Sequence, residues 1–153
     1  MNTHRSAFGR RHQGGFSLIE VMIAILVLGF GLLGFALLQT MNVRYTQSAN
    51  YRTQATNLSY ELLDQIRMNR VSAARYVGSY EATTSNCEPP TGANIVESTY
   101  MNDWRCRLGK ALGAEASAEV TRNNNVITVQ VSWGDERWKI NAGDTTFSAS
   151  TRL

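Results

Sequence analysis

The sequence predicts an α+β protein in which a long N-terminal helix packs on a small antiparallel sheet of about four strands. The helix is indicated by residues 16–38, which are apolar with a single charge, and by the lack of Pro and Gly from Gln39 to about Arg75. The sheet is indicated near the C-terminus, where VITVQVSW alternates apolar and polar side chains. A length of 153 residues fits one globular domain in addition to the apolar segment.

The second half of the predicted helix has one apolar face. Its apolar residues recur at helical spacing: Ala55, Leu58, Leu62 and Ile66. Charged side chains lie off this stripe, as expected for a helix that packs on one side only. We therefore predict one helix from residue 16 to about residue 74, whose second half covers the sheet.

Shorter elements are expected after the long helix. Residues 76–99 are rich in Ser, Thr, Asn, Gly and Pro and are expected to form a loop. A short helix is predicted over 102–112, with Asn102 or Asp103 as its cap. Its apolar side chains lie one turn apart: Trp104, Leu108 and Leu112.

The C-terminal region is expected to form strands separated by turns. The predicted strands are 116–122, 126–133, 136–141 and 146–152. Asn123–Asn125 indicates a hairpin between the first two strands, and Gly134–Asp135 and Gly143–Asp144 mark two further turns.

The net positive charge belongs to a short N-terminal stretch. Three of the 15 basic residues, Arg5, Arg10 and Arg11, lie in the first fifteen positions, which hold no acidic residue. The remaining 12 basic residues balance the 12 acidic residues. Because a nucleic-acid-binding domain carries its excess charge on a folded face, no nucleic acid is expected as a partner.

The apolar segment 16–38 admits three interpretations. As a helix it would span roughly 35 Å, enough for a membrane core of about 30 Å, and the preceding arginines would keep its start in the cytoplasm. It is a secretory signal removed near Gly34 and Ala36, a plain membrane anchor, or a segment that is cut in front and retained. It exceeds the usual 7 to 15 apolar residues of a signal peptide, and it contains the carboxylate of Glu20.

The motif at the start of this segment favours the third interpretation. GGFSLIEVMIA, residues 14–24, closely resembles the type IV prepilin signature, in which Gly15, Phe16 and Glu20 occupy the defining positions. The resemblance implies that a prepilin peptidase cleaves between Gly15 and Phe16 and methylates the Phe16 amine. It also implies that Glu20 pairs with the N-terminal amine of a neighbouring subunit and sets the assembly register.

The resemblance implies an organisation and a location. Residues 1–15 would be a cleaved basic leader, residues 16–38 the transmembrane and fibre-core half of the long helix, and residues 39–153 the globular pilin domain with the amphipathic half of that helix. The protein would be a single-pass inner-membrane protein with its C-terminal domain in the periplasm. It would then enter a pilus at the cell surface.

Motifs in the body narrow the resemblance. ELLDQIRMNR at 61–70, VSWGDE ending at Glu136 and FSASTRL at 147–153 are similar to the type IV pilus modification protein, a minor pilin of the PilV type. This implies a non-enzymatic structural subunit for pilus assembly or priming, with roles in twitching motility and adhesion. The implied partners are the prepilin peptidase, other minor and major pilins, the inner-membrane assembly machinery and a tip adhesin.

Two other functions remain open. A type II secretion pseudopilin shares the leader and the helix. A secreted binding or enzymatic domain with a cleaved signal peptide is the alternative from another class, and the N-terminal residue of the mature protein distinguishes it.

The sequence shows no catalytic, cofactor-binding or metal-binding set. Both histidines, His4 and His12, lie in the leader, so the mature chain would have no histidine for triad catalysis or the usual zinc sets. GFGLLG at 29–34 matches a dinucleotide fingerprint formally, but it lies within apolar sequence and lacks a preceding strand. Asp135 and Glu136 are interpreted as a solvated turn.

Cys87 and Cys106 are predicted to form a disulfide. The orientation inferred from the arginines places both outside the cytoplasm, where a disulfide persists, and the chain has no other cysteine. The alternative is a pair of buried free thiols.

Overall fold

A computed structural model of the chain describes residues 14–85, 87, 96–135 and 143–153. The chain divides into two compact units, Met1–Asn42 and Val43–Leu153. A long helix accompanies a small antiparallel sheet, so the predicted α+β class with a pilin-like arrangement is confirmed.

Helix α1 spans Leu18–Met68. The predicted apolar stripe of its second half is confirmed, since all four of its side chains are buried. The predicted end near residue 74 is wrong, because a 3-10 helix at Arg70–Tyr76 follows α1. The Asn69 side chain donates to the Gln65 carbonyl at 3.2 Å, and such local bonds compete with helix continuation. The tighter turn directs Ala73 and Tyr76 into the core.

Helix α2 spans Glu97–Leu112. The prediction of a helix with Trp104, Leu108 and Leu112 on its buried side is confirmed, but its start at 102 and its cap at Asn102 or Asp103 are wrong. Val96 precedes the first turn without a side-chain cap. The earlier start follows from packing, because burial of Tyr100 adds one turn to the apolar face.

The sheet has the order β1-β2-β3-β4, and every neighbouring pair is antiparallel. Its strands are β1 Gly78–Glu81, β2 Ser117–Asn123, β3 Val126–Trp133 and β4 Thr145–Arg152. β1 falls within 76–99, where the prediction of a continuous loop is wrong. With only four residues, β1 is too short to carry a periodic signal. The predicted strand at 136–141 lies outside the described residues.

The hairpin predicted at Asn123–Asn125 is confirmed. Asn123 pairs with Val126, and Asn124 has a φ of 53°, a conformation that Asn tolerates better than most residues. The buried face of β3 then packs against α1 and α2. The core of the C-terminal unit includes Leu62, Ile66, Trp104, Leu108, Val129, Val131 and Trp133.

Two glycines around α2 are required by geometry. A Cβ on Gly109 would overlap the carbonyl oxygen of Thr83, so this glycine allows α2 to approach the chain that follows β1. Gly113 ends the helix with a φ of 106°, which favours glycine. Together they fix where α2 lies and where it ends.

Candidate functional site

The first candidate site is one face of the N-terminal part of α1. Gly14 to Phe16 precede the helix and are exposed, and the Phe16 side chain is 84% exposed. The Ser17 carbonyl accepts the first helical hydrogen bonds, from the Glu20 N–H at 3.0 Å and the Val21 N–H at 3.3 Å. Residues 1–13, most of the predicted leader, lie outside the described residues.

Phe16 and Glu20 share a shallow groove along the helix. Its lining residues recur one turn apart: Phe16, Glu20, Val21, Ala24, Ile25 and Leu28. Within residues 14–85, 87, 96–135 and 143–153, no side chain donates a hydrogen bond to the Glu20 carboxylate. An aromatic residue just before the helix and a carboxylate on its first turn therefore line one apolar face, with small Ala24 one turn further on.

This part of α1 is apolar on all sides. Its large hydrophobic side chains from Leu18 to Leu38 are exposed, at 48% or more. In the part of the chain that the structure describes, α1 is the one helix long and apolar enough to cross a membrane, with a mean hydropathy of 2.8 over its most apolar window. A signal sequence satisfies the same criterion, so the motif at its start must decide between a retained membrane helix and a removed signal peptide.

A second polar cluster joins α2 to α1. Arg107 donates to the Glu61 carboxylate at 2.6 Å and to Asp103 at 2.8 Å, and the Tyr100 hydroxyl donates to Glu61 at 3.1 Å. Burial raises the pKa of Glu61, but the hydrogen bond and charge of Arg107 outweigh it and hold this pKa below its usual value. Burial, followed by the charge of Glu61, raises the pKa of Tyr100 well above its usual range.

This cluster is structural in character. The side chains of Arg107 and Glu61 are 37% and 43% exposed, so solvent screens the pair to about 0–1 kcal/mol. Its hydrogen bonds link α2 to α1. The pair of Glu61 and Arg107 could not be predicted from the sequence, because it depends on a helix–helix contact that no local pattern encodes.

Asp135 corrects a further expectation. It is 3% exposed rather than part of a solvated turn. Its Oδ2 accepts a hydrogen bond from Ser48 Oγ at 2.7 Å, and Arg52 lies 3.7 Å from the same oxygen. Asp135 thus ties the end of β3 to α1. Glu136, its predicted partner in the turn, lies outside the described residues.

No metal-ligating group of three or more His, Cys, Asp or Glu side chains is present in the described ranges. The glycines of GFGLLG, at 29, 31 and 34, lie within α1 with open space around them, and α1 is preceded by no described strand. The helix therefore supplies neither the strand nor the turn that a dinucleotide site requires.

Comparison with known proteins bears on the N-terminal face. A family model of the prokaryotic N-terminal methylation motif matches residues 10–36, which include Gly15, Phe16 and Glu20. The match indicates a type IV prepilin-like protein. No curated protein and no solved structure matches the chain.

In a prepilin-like protein, the groove of Phe16 and Glu20 lies within the motif that is read during processing and assembly. The motif implies processing by a prepilin peptidase and association with pilus machinery, and it supports a part in pilus or secretion assembly. Proteins with this motif are structural rather than enzymatic. The apolar helix and the motif together are consistent with membrane anchoring.

The structure joins Cys87 and Cys106 by a disulfide, with their Cα atoms 5.6 Å apart. Cys106 is buried on α2, and Cys87 lies in the segment between β1 and α2. The bond therefore attaches that segment to a rigid helix. Thr83 adds a second attachment, since its N–H donates to the Arg105 carbonyl at 3.3 Å.

Loss of this disulfide is expected to destabilise the C-terminal unit. The cysteines are 19 positions apart, and the chain-entropy model values closure of such a loop at roughly 3 kcal/mol. Cys87→Ser should lower the free energy of unfolding by about that amount, and the double serine variant should match the single one. Exported protein, denatured without reductant, should show no thiol that reacts with a labelling reagent. Two reactive thiols would instead establish free cysteines.

Proposed function

We propose that the chain is a minor pilin of the PilV type, a low-copy subunit that takes part in assembling or priming a type IV pilus. The observation that carries the proposal is the exposed groove in which Phe16 and Glu20 share one face of an apolar helix. In this proposal Gly15 is the last residue removed, and Phe16 becomes the N-methylated terminus.

Membrane orientation determines how the chain is processed. The arginines before residue 12 keep the leader in the cytoplasm, and the C-terminal unit lies in the periplasm. The peptidase hydrolyses the peptide bond between Gly15 and Phe16, which leaves α1 in the membrane with a new amine at its start. The retained helix then moves from the membrane into the fibre.

Glu20 acts at the step of assembly. A carboxylate in an apolar layer costs up to about 2.5–3.5 kcal/mol, so it requires a partner. The amine of a neighbouring subunit supplies an opposite charge at the depth where Glu20 lies. Pairing fixes the axial position of one subunit against the next, and the apolar surface of both helices is buried around the pair.

The subfamily assignment is supported by the body motifs. Residues 61–70 and 147–153 are similar to the type IV pilus modification protein. The proposed partners are accordingly the prepilin peptidase, other minor and major pilins, the inner-membrane assembly machinery and a tip adhesin. The proposed final location is the pilus at the cell surface.

The mature N-terminus tests the proposal. We expect mass spectrometry of the membrane-extracted protein to find a chain that begins at N-methylated Phe16. Gly15→Val should accumulate unprocessed, because the signature places Gly directly before the cut, whereas Gly14→Ala should be processed as a matched control. A mature terminus beyond residue 34 would establish a removed signal peptide and overturn the pilin function.

The choice between pilus and secretion pseudopilus needs a separate measurement. Pili sheared from cells that express the protein at its natural level should contain it. Its absence from sheared pili, together with a loss of protein secretion on deletion, would assign the chain to a type II secretion system instead.

A further inference from the structure

The two edges of the four-stranded sheet differ. β1 has four residues, and its last carbonyl, that of Glu81, accepts a hydrogen bond from Arg105 Nε at 2.7 Å. β4 has eight residues, contains neither Pro nor Lys, and carries its only charge at Arg152. Natural sheets protect their edges by short strands, charges or covering groups. Among the described residues, β1 is protected in this way and β4 is not.

The alternation of hydrogen bonds across the sheet identifies which backbone groups of β4 lie on the edge that pairs with no described strand, called the free edge below. β2 and β3 are joined through the pair Asn123 and Val126, which a two-residue turn makes a hydrogen-bonded pair. Because hydrogen-bonded pairs alternate, the backbone N–H and C=O groups of the odd-numbered residues of β3 point toward β4. The bond from the Leu153 N–H to the Asn125 carbonyl, at 2.8 Å, also joins two odd-numbered residues and agrees with this alternation. The outward backbone groups of β4 consequently belong to Thr146, Ser148, Ser150 and Arg152.

Each face beside this edge has a distinct character. On the solvent face the side chains are small and polar, and the hydroxyls of Ser132 and Thr146 lie 3.0 Å apart. On the helix face, Phe147 is half-buried and meets Tyr60 of α1 edge-to-face, with ring centroids 6.4 Å apart. Tyr60 is 55% exposed. An aromatic surface therefore remains open on the helix side of β4.

We propose that the free edge of β4 binds an extended strand of another protein subunit, which continues the sheet as a fifth strand. Main-chain hydrogen bonds to the outward groups provide affinity, and alternate side chains provide specificity. The strand that fits has an apolar side chain opposite Phe147 and Tyr60, small polar side chains on the solvent face, and a carboxylate beside Arg152. The identification of this partner as a fellow pilin subunit rests on the proposed function.

A second copy of this chain fits the edge less well. The outer edge of its β1 is occupied at Glu81 by Arg105. Two copies would therefore pair through β4 of one copy and β4 of the other. Such antiparallel pairing has a two-fold axis perpendicular to the sheet. Since α1 lies along one face of the sheet, this axis would turn the two copies of α1 in opposite directions. The two folded units would then have opposite orientations, whereas the subunits of the proposed fibre share one orientation.

Hydrogen–deuterium exchange of single amides tests the proposal on the full chain. In the purified protein in detergent, the amides of Ser148 and Ser150 should exchange rapidly, while those of Phe147 and Ala149, bonded to β3, should be protected. In the assembled fraction isolated from cells, Ser148 and Ser150 should exchange at least about tenfold more slowly. The proposal would be overturned if both serine amides were protected already in the purified monomer. It would also be overturned if they were unprotected in both samples.

A backbone variant adds a test of the same edge. Ser150→Pro removes an outward N–H and leaves the bonds to β3, as proline does on edge strands. It should reduce retention in the assembled fraction by at least about tenfold, whereas Ser150→Ala, which keeps the N–H, should not. If Ser150→Pro fails to fold, Ser148→Pro provides the same comparison with Ser148→Ala.

Failure of the strand-binding proposal can be distinguished from failure of the proposed pilin function. A concentration-dependent dimer with Ser148 and Ser150 protected would identify a second copy as the occupant and overturn the heterologous strand. Equal retention of the proline and alanine variants would also overturn it. A mature terminus beyond residue 34 would remove the pilin assignment only, because exchange at β4 reports on the sheet edge and not on processing.

Discussion

Trp104→Ala is expected to lower the free energy of unfolding by about 3–5 kcal/mol, the range for loss of a large buried aromatic side chain. Trp104 is fully buried, at 0% exposure, where α2 meets α1. Its Nε1–H also donates to the Leu58 carbonyl at 3.1 Å, so truncation removes both packing and a buried hydrogen bond. Because small domains are stable by about 5–15 kcal/mol, this change alone should remove a large share of the stability of the C-terminal unit.

Two variants serve as controls, one for the hydrogen bond of Trp104 and one for substitution at an exposed site. Trp104→Phe keeps an aromatic ring and removes the donor, so it should cost less than the alanine variant. Val71→Ala should change stability by less than about 0.5 kcal/mol, since Val71 is 99% exposed. Urea unfolding of the detergent-solubilised chain, followed by the remaining tryptophans, measures all three. A loss below about 1 kcal/mol for Trp104→Ala would contradict the packing of α2 on α1.

Elements with a long periodic signal could be predicted from the sequence. The stripe from Ala55 to Ile66 repeats over several turns, and β3 alternates along its whole length, so each pattern fixes both the element and its buried face. The hairpin before β3 follows from turn chemistry alone. In these places the local preference and the tertiary packing agree.

The parts that could not be predicted depend on contacts between distant segments. β1 forms because Tyr80 and its neighbours pair with β2, some forty positions later in the chain. Asp135 is buried because Ser48, on α1, lies within reach of its carboxylate. Neither contact leaves a periodic trace in the sequence, so composition favoured a loop in one case and a solvated turn in the other.

The residues of the N-terminal face, by contrast, could be identified from the sequence. Gly15, Phe16 and Glu20 were identified from the motif, whereas the structure adds that Phe16 and Glu20 share one groove on the helix. A spacing of four residues favours this arrangement, although Phe16 itself lies two residues before α1 begins. What the spacing does not supply is the second subunit, whose amine the proposed pairing requires.

Glu20→Gln is expected to leave processing and membrane insertion intact and to reduce incorporation into pili by at least about tenfold. Gln retains the size and polarity of the side chain but removes the charge that, in the proposed pairing, meets the amine at Phe16 of a neighbouring subunit. Close charge pairs across interfaces have measured couplings of about 1.5–7 kcal/mol, and every 1.4 kcal/mol corresponds to about a tenfold change in affinity. The lower bound of the expected loss follows from the weakest of these couplings.

Quantification of the mature chain in membranes and in sheared pili measures the effect. Glu20→Asp, which keeps the charge on a shorter side chain, should be incorporated better than Glu20→Gln and so separates charge from geometry. Both variants should carry the same N-methylated Phe16 as the wild type. Wild-type levels of the Glu20→Gln chain in sheared pili would contradict the register-setting role, because an uncharged side chain would then align the subunits as well as a carboxylate does.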